Sequence, residues 1–134
     1  MNVQVAGEVD RLPGLVDDLH ASWSALELPM DLLYAFDLAL EEIFVNLATH
    51  GRGPRLPLQV GIRLEKRDDG VLLEICDDGE PFDPLAAPPP DLDAPLEERP
   101  IGGLGVHLVR AQFPDIDYRR VGGQNVLTLR RPLA

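Results

Sequence analysis

The positions of apolar and polar residues along the chain predict helices first. Apolar residues recur at helical spacing from about Leu12 to Leu26, and Pro13 suits a first helical turn. A second helix is predicted from about Asp31 to His50, with Asp31 as a suitable N-cap residue. The core face of this second helix is predicted to be a stripe stepping by three and four: Leu33, Phe36, Leu40, Ile43 and Leu47.

Alternation of apolar with other residues predicts the strands. Residues 1–7 are expected to form a short edge strand. Residues 56–64 and 71–76 are expected to form a hairpin around an Asp-Asp-Gly turn. The prolines of residues 84–101 exclude regular structure there. A loop of that length inside a compact domain is usually functional or disordered.

The C-terminal part predicts a helix followed by a last hairpin. Gly102-Gly103-Leu104-Gly105 opens a helix that stops near Pro114, and residues 116–131 read as a hairpin around two glycines. The order is strand, helix, helix, hairpin, loop, helix, hairpin. It predicts one α+β domain over residues 1–134, a two-layer sandwich with about three helices on one face of a mixed, mainly antiparallel sheet.

Composition narrows the class of protein. The 134 residues match the usual size of one domain, and no apolar run approaches the ~20 residues that span a bilayer. We therefore expect a cytoplasmic protein. A single cysteine, Cys76, excludes an internal disulfide and a cysteine-rich zinc site. The formal net charge of −11 argues against nonspecific binding to nucleic acid or anionic membrane; it suits a basic protein partner or simply keeps the domain soluble.

Three polar side chains share one side of the second predicted helix. Glu42, Asn46 and His50 are spaced by four, roughly opposite the apolar stripe. One interpretation is a solvated polar face, which is common on amphipathic helices. The other is a site, because an amide oxygen suits Mg²⁺ and a nearby carboxylate can act as a general base.

The end of the strand at residues 71–76 offers a second candidate. Val71, Leu73, Ile75 and Asp77 fall on one face of the strand, so Asp77 is expected to point into an apolar pocket. An ionised Asp accepts hydrogen bonds and would match the amine of adenine, and Gly79 would let the backbone approach the base. The alternative is an ordinary Asp-Gly turn.

The glycines that open the third predicted helix are the last candidate. Glycines before a helix expose backbone N–H groups, and a helix N-terminus favours anions, so phosphates could bind there. The alternative is a flexible hinge. No Gly-Lys-Ser/Thr follows, as a Walker motif requires.

Together and in this order, the three elements resemble those of the GHKL ATPase superfamily. Glu42-x-x-x-Asn46-x-x-x-His50 resembles its N-box, and Asp77-x-Gly79 and Gly103-Leu104-Gly105 resemble its two glycine boxes. The neighbouring motifs are similar to those of anti-sigma-factor serine kinases: Leu40-Glu41-Glu42, Phe82-Asp83-Pro84, His107-Leu108-Val109-Arg110 and the stretch from Gly122 to Thr128.

This resemblance implies roles for individual residues. Asn46 would bind Mg²⁺, Glu42 would be the general base, and Asp77 with Gly79 would read adenine. Other implied nucleotide contacts are His50 with the triphosphate or ribose, Thr128 in support of the adenine site, and Phe82, Gly103, Leu104, Gly105 and Val106. Residues 85–101 would be an ATP lid.

The resemblance also implies a function. It indicates a Mg-ATP-dependent serine/threonine protein kinase that acts as an anti-sigma regulatory factor and phosphorylates a STAS-type anti-anti-sigma partner. A sigma factor as second partner and a homodimer are left open. The alternatives are an interaction module that uses ATP as a structural ligand, an ATPase whose nucleophile is water, and a histidine-kinase catalytic fragment.

Overall fold

The computed structural model of the chain describes residues 1–86 and 103–133. The predicted lid at 85–101 lies largely outside these residues, as does Gly102. The elements follow the predicted order: β1 (Asn2–Ala6), a 3-10 turn (Val9–Arg11), α1 (Leu12–Ala25), α2 (Met30–His50), β2 (Gln59–Lys66), β3 (Gly70–Asp77), a second 3-10 turn (Pro84–Ala86), α3 (Gly103–Gln112), β4 (Asp115–Val121) and β5 (Gln124–Pro132).

The five strands form one sheet in the order β1-β2-β3-β5-β4. All four pairings between neighbouring strands are antiparallel. β3 is therefore the central strand, and its C-terminal end lies between β2 and β5. Because β1 lies at one edge, the predicted edge strand is confirmed, and so is the α+β sandwich. The sheet was predicted to be mixed, but its pairings are all antiparallel, because both hairpins and the β1-β2 and β3-β5 pairs run in opposite directions.

The core lies between the helices and one face of the sheet. Phe36 of α2 contacts both Trp23 of α1 and Phe113, with ring centroids 5.0 Å apart in each pair. Beneath them, alternate residues of the two strands β2 and β3 are buried: Val60, Ile62, Leu64, Val71, Leu73 and Ile75. α2 is thereby fixed against α1 and the sheet, which sets the direction of its polar side chains.

The start of α2 differs from the prediction. Asp31 was expected to cap the helix, but the N-cap residue is Pro29 and no side chain caps the helix. The Pro29 carbonyl accepts hydrogen bonds from the Trp23 indole (3.0 Å) and from the Leu32 N–H (3.2 Å). Asp31 lies in the first turn, where a carboxylate still favours the positive end of the helix dipole.

The buried face of α2 is also broader than the predicted stripe. Phe36 and Leu40 are fully buried, whereas the other three stripe residues are half-buried. The remaining buried residues of the helix are Leu32, Ala35, Ala39 and Phe44. α2 packs on both α1 and the sheet, so its buried arc is set by two neighbours.

β2 begins later than the prediction of residue 56. Leu56 is 68% exposed, and Pro57 has no N–H to contribute to a sheet, so the strand starts at Gln59.

Within the described residues, no helix is long and apolar enough to cross a membrane.

Candidate functional site

Asp77 ends β3 on the face that packs against the helices. The alternation predicted from the sequence is observed, because Leu73 and Ile75 precede it on the same buried face and Asp77 is 5% exposed. Its Oδ1 accepts hydrogen bonds from the Gly79 N–H (2.9 Å) and from Nδ2 of Asn125 (2.9 Å). No described residue hydrogen-bonds to Oδ2, so this second oxygen is left as an acceptor.

Gly79 lies where two loops touch. A Cβ at this position would come 2.7 Å from the Arg52 carbonyl oxygen and 2.9 Å from Oδ1 of Asp77. The same Arg52 oxygen accepts a hydrogen bond from the Glu80 N–H (2.6 Å). The loop after α2 is therefore fastened to the Asp-Gly turn, and glycine is required for the backbones to approach this closely.

A cavity of about 220 Å³ opens beside Asp77. Its walls are largely apolar and come from α2, α3 and the strands β3, β4 and β5. Five residues predicted to bind nucleotide line it: Asn46, His50, Asp77, Phe82 and Val106. A concave, apolar site with few polar groups is the usual form of a small-molecule site.

The polar side of α2 faces the start of α3. Glu42 is half-buried, and its carboxylate lies where a Cβ on Gly105 would be. α3 begins at Gly103, so the backbones of Gly103 and Leu104 form its first turn. The first four backbone N–H groups of a helix have no partner within the helix. Glu42 thus contacts the start of α3, and Asn46, one turn further along α2, lines the cavity. Among the described residues predicted to form the site, Glu42, Gly79 and Gly105 do not line it.

Comparison with known proteins shows the family to which the chain belongs. The chain matches the model of the histidine kinase-like ATPase domain over residues 5–131. The chain belongs to this family. The match covers nearly the whole chain, so the resemblance to GHKL ATPases predicted from the motifs is confirmed. Membership of an ATPase family implies that this domain binds ATP.

Two relatives illustrate the relationship of this histidine kinase-like ATPase domain. The serine/threonine-protein kinase BtrW of Bordetella bronchiseptica is 32% identical over 111 residues, which cover 83% of this chain and 75% of that protein. The histidine kinase domain of the blue-light activated histidine kinase from Erythrobacter litoralis EL346 has the same fold, with a TM-score of 0.53 at 17% identity. That match covers 78% of this chain and about half (49%) of the histidine kinase chain.

One residue predicted to lie in the nucleotide site of this ATPase domain, Thr128, lies away from the cavity. Thr128 was expected to support the adenine site, but it pairs with Glu74, which is out of phase with Asp77 along β3. Side chains alternate between the two faces of a sheet, so Thr128 lies on the face away from the helices and the cavity. Its hydroxyl is buried and has no hydrogen-bond partner among the described residues.

Asn125 was missed by the sequence analysis. It is the direct cross-strand partner of Asp77 and is 6% exposed. It lies three residues before Thr128 and so on the opposite face of β5. The signal was present in the Gly-Gly-Gln-Asn turn, but the register between β3 and β5 could not be read across the loop and helix that separate them.

Cys76 lies beside Asp77 in sequence and on the other face of the sheet. Partial burial, reinforced by Glu74, raises the pKa of Cys76 to about 11. Such a thiol is protonated at neutral pH and is a poor nucleophile.

Proposed function

We propose that this domain binds Mg-ATP and transfers the γ-phosphate to a serine or threonine of a partner protein. The observation that carries the proposal is the meeting of two kinds of group around one cavity. Asp77 lines a largely apolar cavity with Oδ2, an oxygen that hydrogen-bonds to no described residue, and Asn46 lines the same cavity, while Glu42 on the same helix as Asn46 contacts the start of α3. The likeness to a relative named as a serine/threonine kinase supports the transfer step.

Asp77 is proposed to bind the adenine amine through Oδ2. Its other oxygen already accepts two hydrogen bonds, so Oδ2 is the one available to a ligand. The guanine carbonyl would face this acceptor without a proton between them, and a buried unpaired acceptor is costly. Val106 and Phe82 are proposed to contact the nucleotide from the cavity wall and rim, with His50 near the ribose or phosphates.

Asn46 fits a magnesium ligand. Its amide lines the cavity, is half-buried, and hydrogen-bonds to no other described residue. Mg²⁺ typically keeps several waters and takes one or two protein ligands together with substrate phosphates, so one amide oxygen suffices. A bound Mg²⁺ would neutralise charge on the phosphates during transfer.

Glu42 is proposed to be the general base. During transfer its carboxylate would accept the proton of the attacking hydroxyl, the hydroxyl oxygen would bond to the γ-phosphorus, and the bond to the β-phosphate oxygen would break to release ADP. The N–H groups of Gly103, Leu104 and Gly105 are proposed to receive the phosphates. The closeness of Glu42 to Gly105 supports this division of roles.

The partner is proposed to be a STAS-type anti-anti-sigma protein, with a sigma factor as second partner. The acidic charge of this chain supports a partner that binds through a basic surface. Residues 1–50 contain nine Asp or Glu and one Arg, which gives a formal charge of −8 out of −11 for the whole chain. Met30 and Tyr34 are 69% and 70% exposed one turn apart on α2 within this acidic region.

Two measurements test the proposal. Calorimetry with ATP and GTP, with and without Mg²⁺, should show magnesium-dependent binding that prefers ATP. Incubation with γ-labelled ATP and a candidate STAS protein should then label the STAS protein. Phosphate release without a partner would instead favour an ATPase that uses water. Nucleotide binding with neither transfer nor release would indicate an interaction module.

A further inference from the structure

The amide of Asn125 has one defined orientation. Its Oδ1 accepts hydrogen bonds from the Phe82 N–H (3.2 Å), the Arg120 guanidinium (3.2 Å) and the Tyr118 hydroxyl (2.5 Å). A backbone N–H and a guanidinium are donors alone, so the amide oxygen must face them. The amide nitrogen is thereby directed to the other side, where acceptors lie.

Nδ2 of Asn125 donates to two acceptors at the end of the cavity beside Asp77, which we call the base end because adenine is proposed to bind there. These are Oδ1 of Asp77 (2.9 Å) and the Glu80 carbonyl oxygen (2.8 Å). Arg120 adds a bond from its guanidinium to the Gly79 carbonyl oxygen (2.7 Å). The edge strand β4 is thus connected through Asn125 to the loop that follows Asp77.

We propose that Asn125, oriented by Tyr118 and Arg120, is a positioning residue that sets the base selectivity of the nucleotide site. This inference rests on the proposed ATP binding. Asn125 engages one oxygen of Asp77 and so fixes the rotation of the carboxylate, which leaves Oδ2 as a stationary acceptor facing the cavity. Adenine is selected because its amine meets this acceptor, and guanine is rejected because its carbonyl meets the same oxygen.

The network explains a discrimination that Asp77 alone would not provide. A carboxylate free to rotate can turn away from a mismatched carbonyl and let water enter between them. Held at Oδ1 by two donors, Asp77 cannot relax in this way without breaking a buried hydrogen bond, which is costly. Fixing the acceptor therefore penalises guanine more than it helps adenine.

The test compares the dissociation constants of ATP and GTP for single variants. In Asn125→Leu, which removes both the donor and the acceptor, we expect the GTP-to-ATP ratio of dissociation constants to fall by about tenfold or more. Asn125→Thr keeps one hydroxyl donor toward Asp77 and should restore part of the ratio. Tyr118→Phe removes one of the three donors to Oδ1 and should lower the ratio by about threefold.

Thr128→Val is the matched control. It changes a buried residue of the same strand by one polar atom, on the face away from the cavity, and should leave the ratio unchanged. If Asn125 had a purely structural effect, Asn125→Leu would weaken the binding of both nucleotides equally and leave the ratio constant. A fall in the thermal unfolding midpoint of the variant would accompany that result. If Asn125→Leu does not fold, the test uses Tyr118→Phe and Arg120→Met, each of which removes one donor to Oδ1 of Asn125 and should lower the ratio.

The outcomes separate this inference from the proposed function. Failure of the unchanged protein to bind ATP would overturn both. ATP binding with a preference over GTP that Asn125→Leu and Tyr118→Phe both leave intact would overturn the positioning role and keep the proposed function.

Discussion

The two ends of the proposed nucleotide site are built in different ways. At the base end, Asp77 and Asn125 come from neighbouring strands, are both nearly fully buried, and have several hydrogen bonds to protein atoms. At the other end, which we propose receives the phosphates and call the phosphate end, Glu42 and Asn46 come from one helix, are half-buried, and have no side-chain hydrogen bond to another described residue. One end is held by hydrogen bonds within the protein, and the other presents polar groups that no described residue engages.

Under the proposed function, this difference separates base selection at one end from phosphoryl transfer at the other. Selecting a base requires an acceptor that does not move, and strand pairing with a buried hydrogen-bond network provides rigidity. Metal binding and proton transfer require side chains whose oxygens are not already engaged by the protein. Substitutions at the base end should therefore change affinity and selectivity, whereas those at the phosphate end should change transfer.

The largest expected effect is at the phosphate end, with Glu42→Gln. Glutamine keeps the size of the side chain but cannot accept the proton of the attacking hydroxyl. We expect phosphoryl transfer to fall by about 10²- to 10⁴-fold, the usual contribution of a general base, with ATP affinity unchanged. Label transfer to a STAS protein and calorimetry with ATP measure the two quantities.

Glu41→Gln is the control for this variant. Glu41 precedes Glu42 on the same helix and is exposed. Its substitution by glutamine removes the same charge. If Glu42→Gln transferred phosphate as fast as Glu41→Gln, the general base would be another residue. If Glu42→Gln lost ATP affinity as well as transfer, the distinction between the two ends would not hold.

The second effect is at the base end, with Asp77→Asn. The amide would direct an NH₂ group either to the adenine amine or to the amide of Asn125, and both are donors. We expect ATP affinity to fall by about 10- to 100-fold because a buried donor is left without an acceptor. Calorimetry with ATP measures this loss.

Asp78→Asn is the neighbouring control. Oδ1 of Asp78 accepts a hydrogen bond from the Gln59 N–H (2.8 Å), which an amide oxygen can also do. ATP affinity should therefore remain close to that of the unchanged protein. Equal losses in the two variants would show that charge near the turn matters and that Asp77 has no specific contact with the base.

Part of this arrangement could be read from the sequence. The helical spacing of Glu42 and Asn46 and the strand alternation that buries Asp77 depend on local periodicity, and both were predicted correctly. The proposed role of Asn125 depends on the register between strands that lie about fifty residues apart in the chain, as does the position of Thr128 away from the cavity. Pairing of distant strands is decided by the packing of the whole sheet, which a local pattern does not contain.

The start of α2 shows a second limit of local patterns. Asp31 has the chemistry of an N-cap residue, but the observed N-cap is Pro29, two residues earlier, and its carbonyl accepts a hydrogen bond from the Trp23 indole. A contact between two helices therefore took precedence over a capping preference worth ~1 kcal/mol.

A pair of glycines gives a smaller and more direct test of the two ends. In Gly79→Ala the new Cβ meets backbone and a buried carboxylate, so the loop must shift. In Gly105→Ala it meets the end of the flexible Glu42 side chain, which can move aside. We expect Gly79→Ala to lower the free energy of unfolding by about 1–3 kcal/mol and to weaken ATP binding, with no such loss of stability in Gly105→Ala.

Gly105→Ala should instead reduce transfer by about tenfold, because a base displaced by roughly 1 Å loses its alignment. Alanine favours a helix over glycine by about 1 kcal/mol, so stability should hold or rise. Chemical unfolding, calorimetry and label transfer separate these effects. Equal changes of stability in both variants would mean that the phosphate end is as rigidly packed as the base end.

The smallest expected effect comes from Cys76, which follows Ile75 and precedes Asp77 but faces away from the cavity. Its pKa is raised from 9.0 to about 11 in the folded chain, first by burial and then by Glu74. Below pH 9 the thiol is protonated whether the chain is folded or unfolded. Between pH 9 and 11 the unfolded chain releases the proton more readily, so the contribution of Cys76 to stability falls as pH rises.

Cys76→Ser isolates this contribution because serine does not titrate in that range. The difference in free energy of unfolding between the original chain and Cys76→Ser should be constant up to about pH 9 and should then shift against the original chain up to about pH 11. ATP affinity at neutral pH should be the same in both proteins, since residue 76 lies on the far face of the sheet. A weakening of ATP binding by Cys76→Ser comparable to that of Asp77→Asn would contradict the alternation of β3, on which the whole assignment of the base end depends.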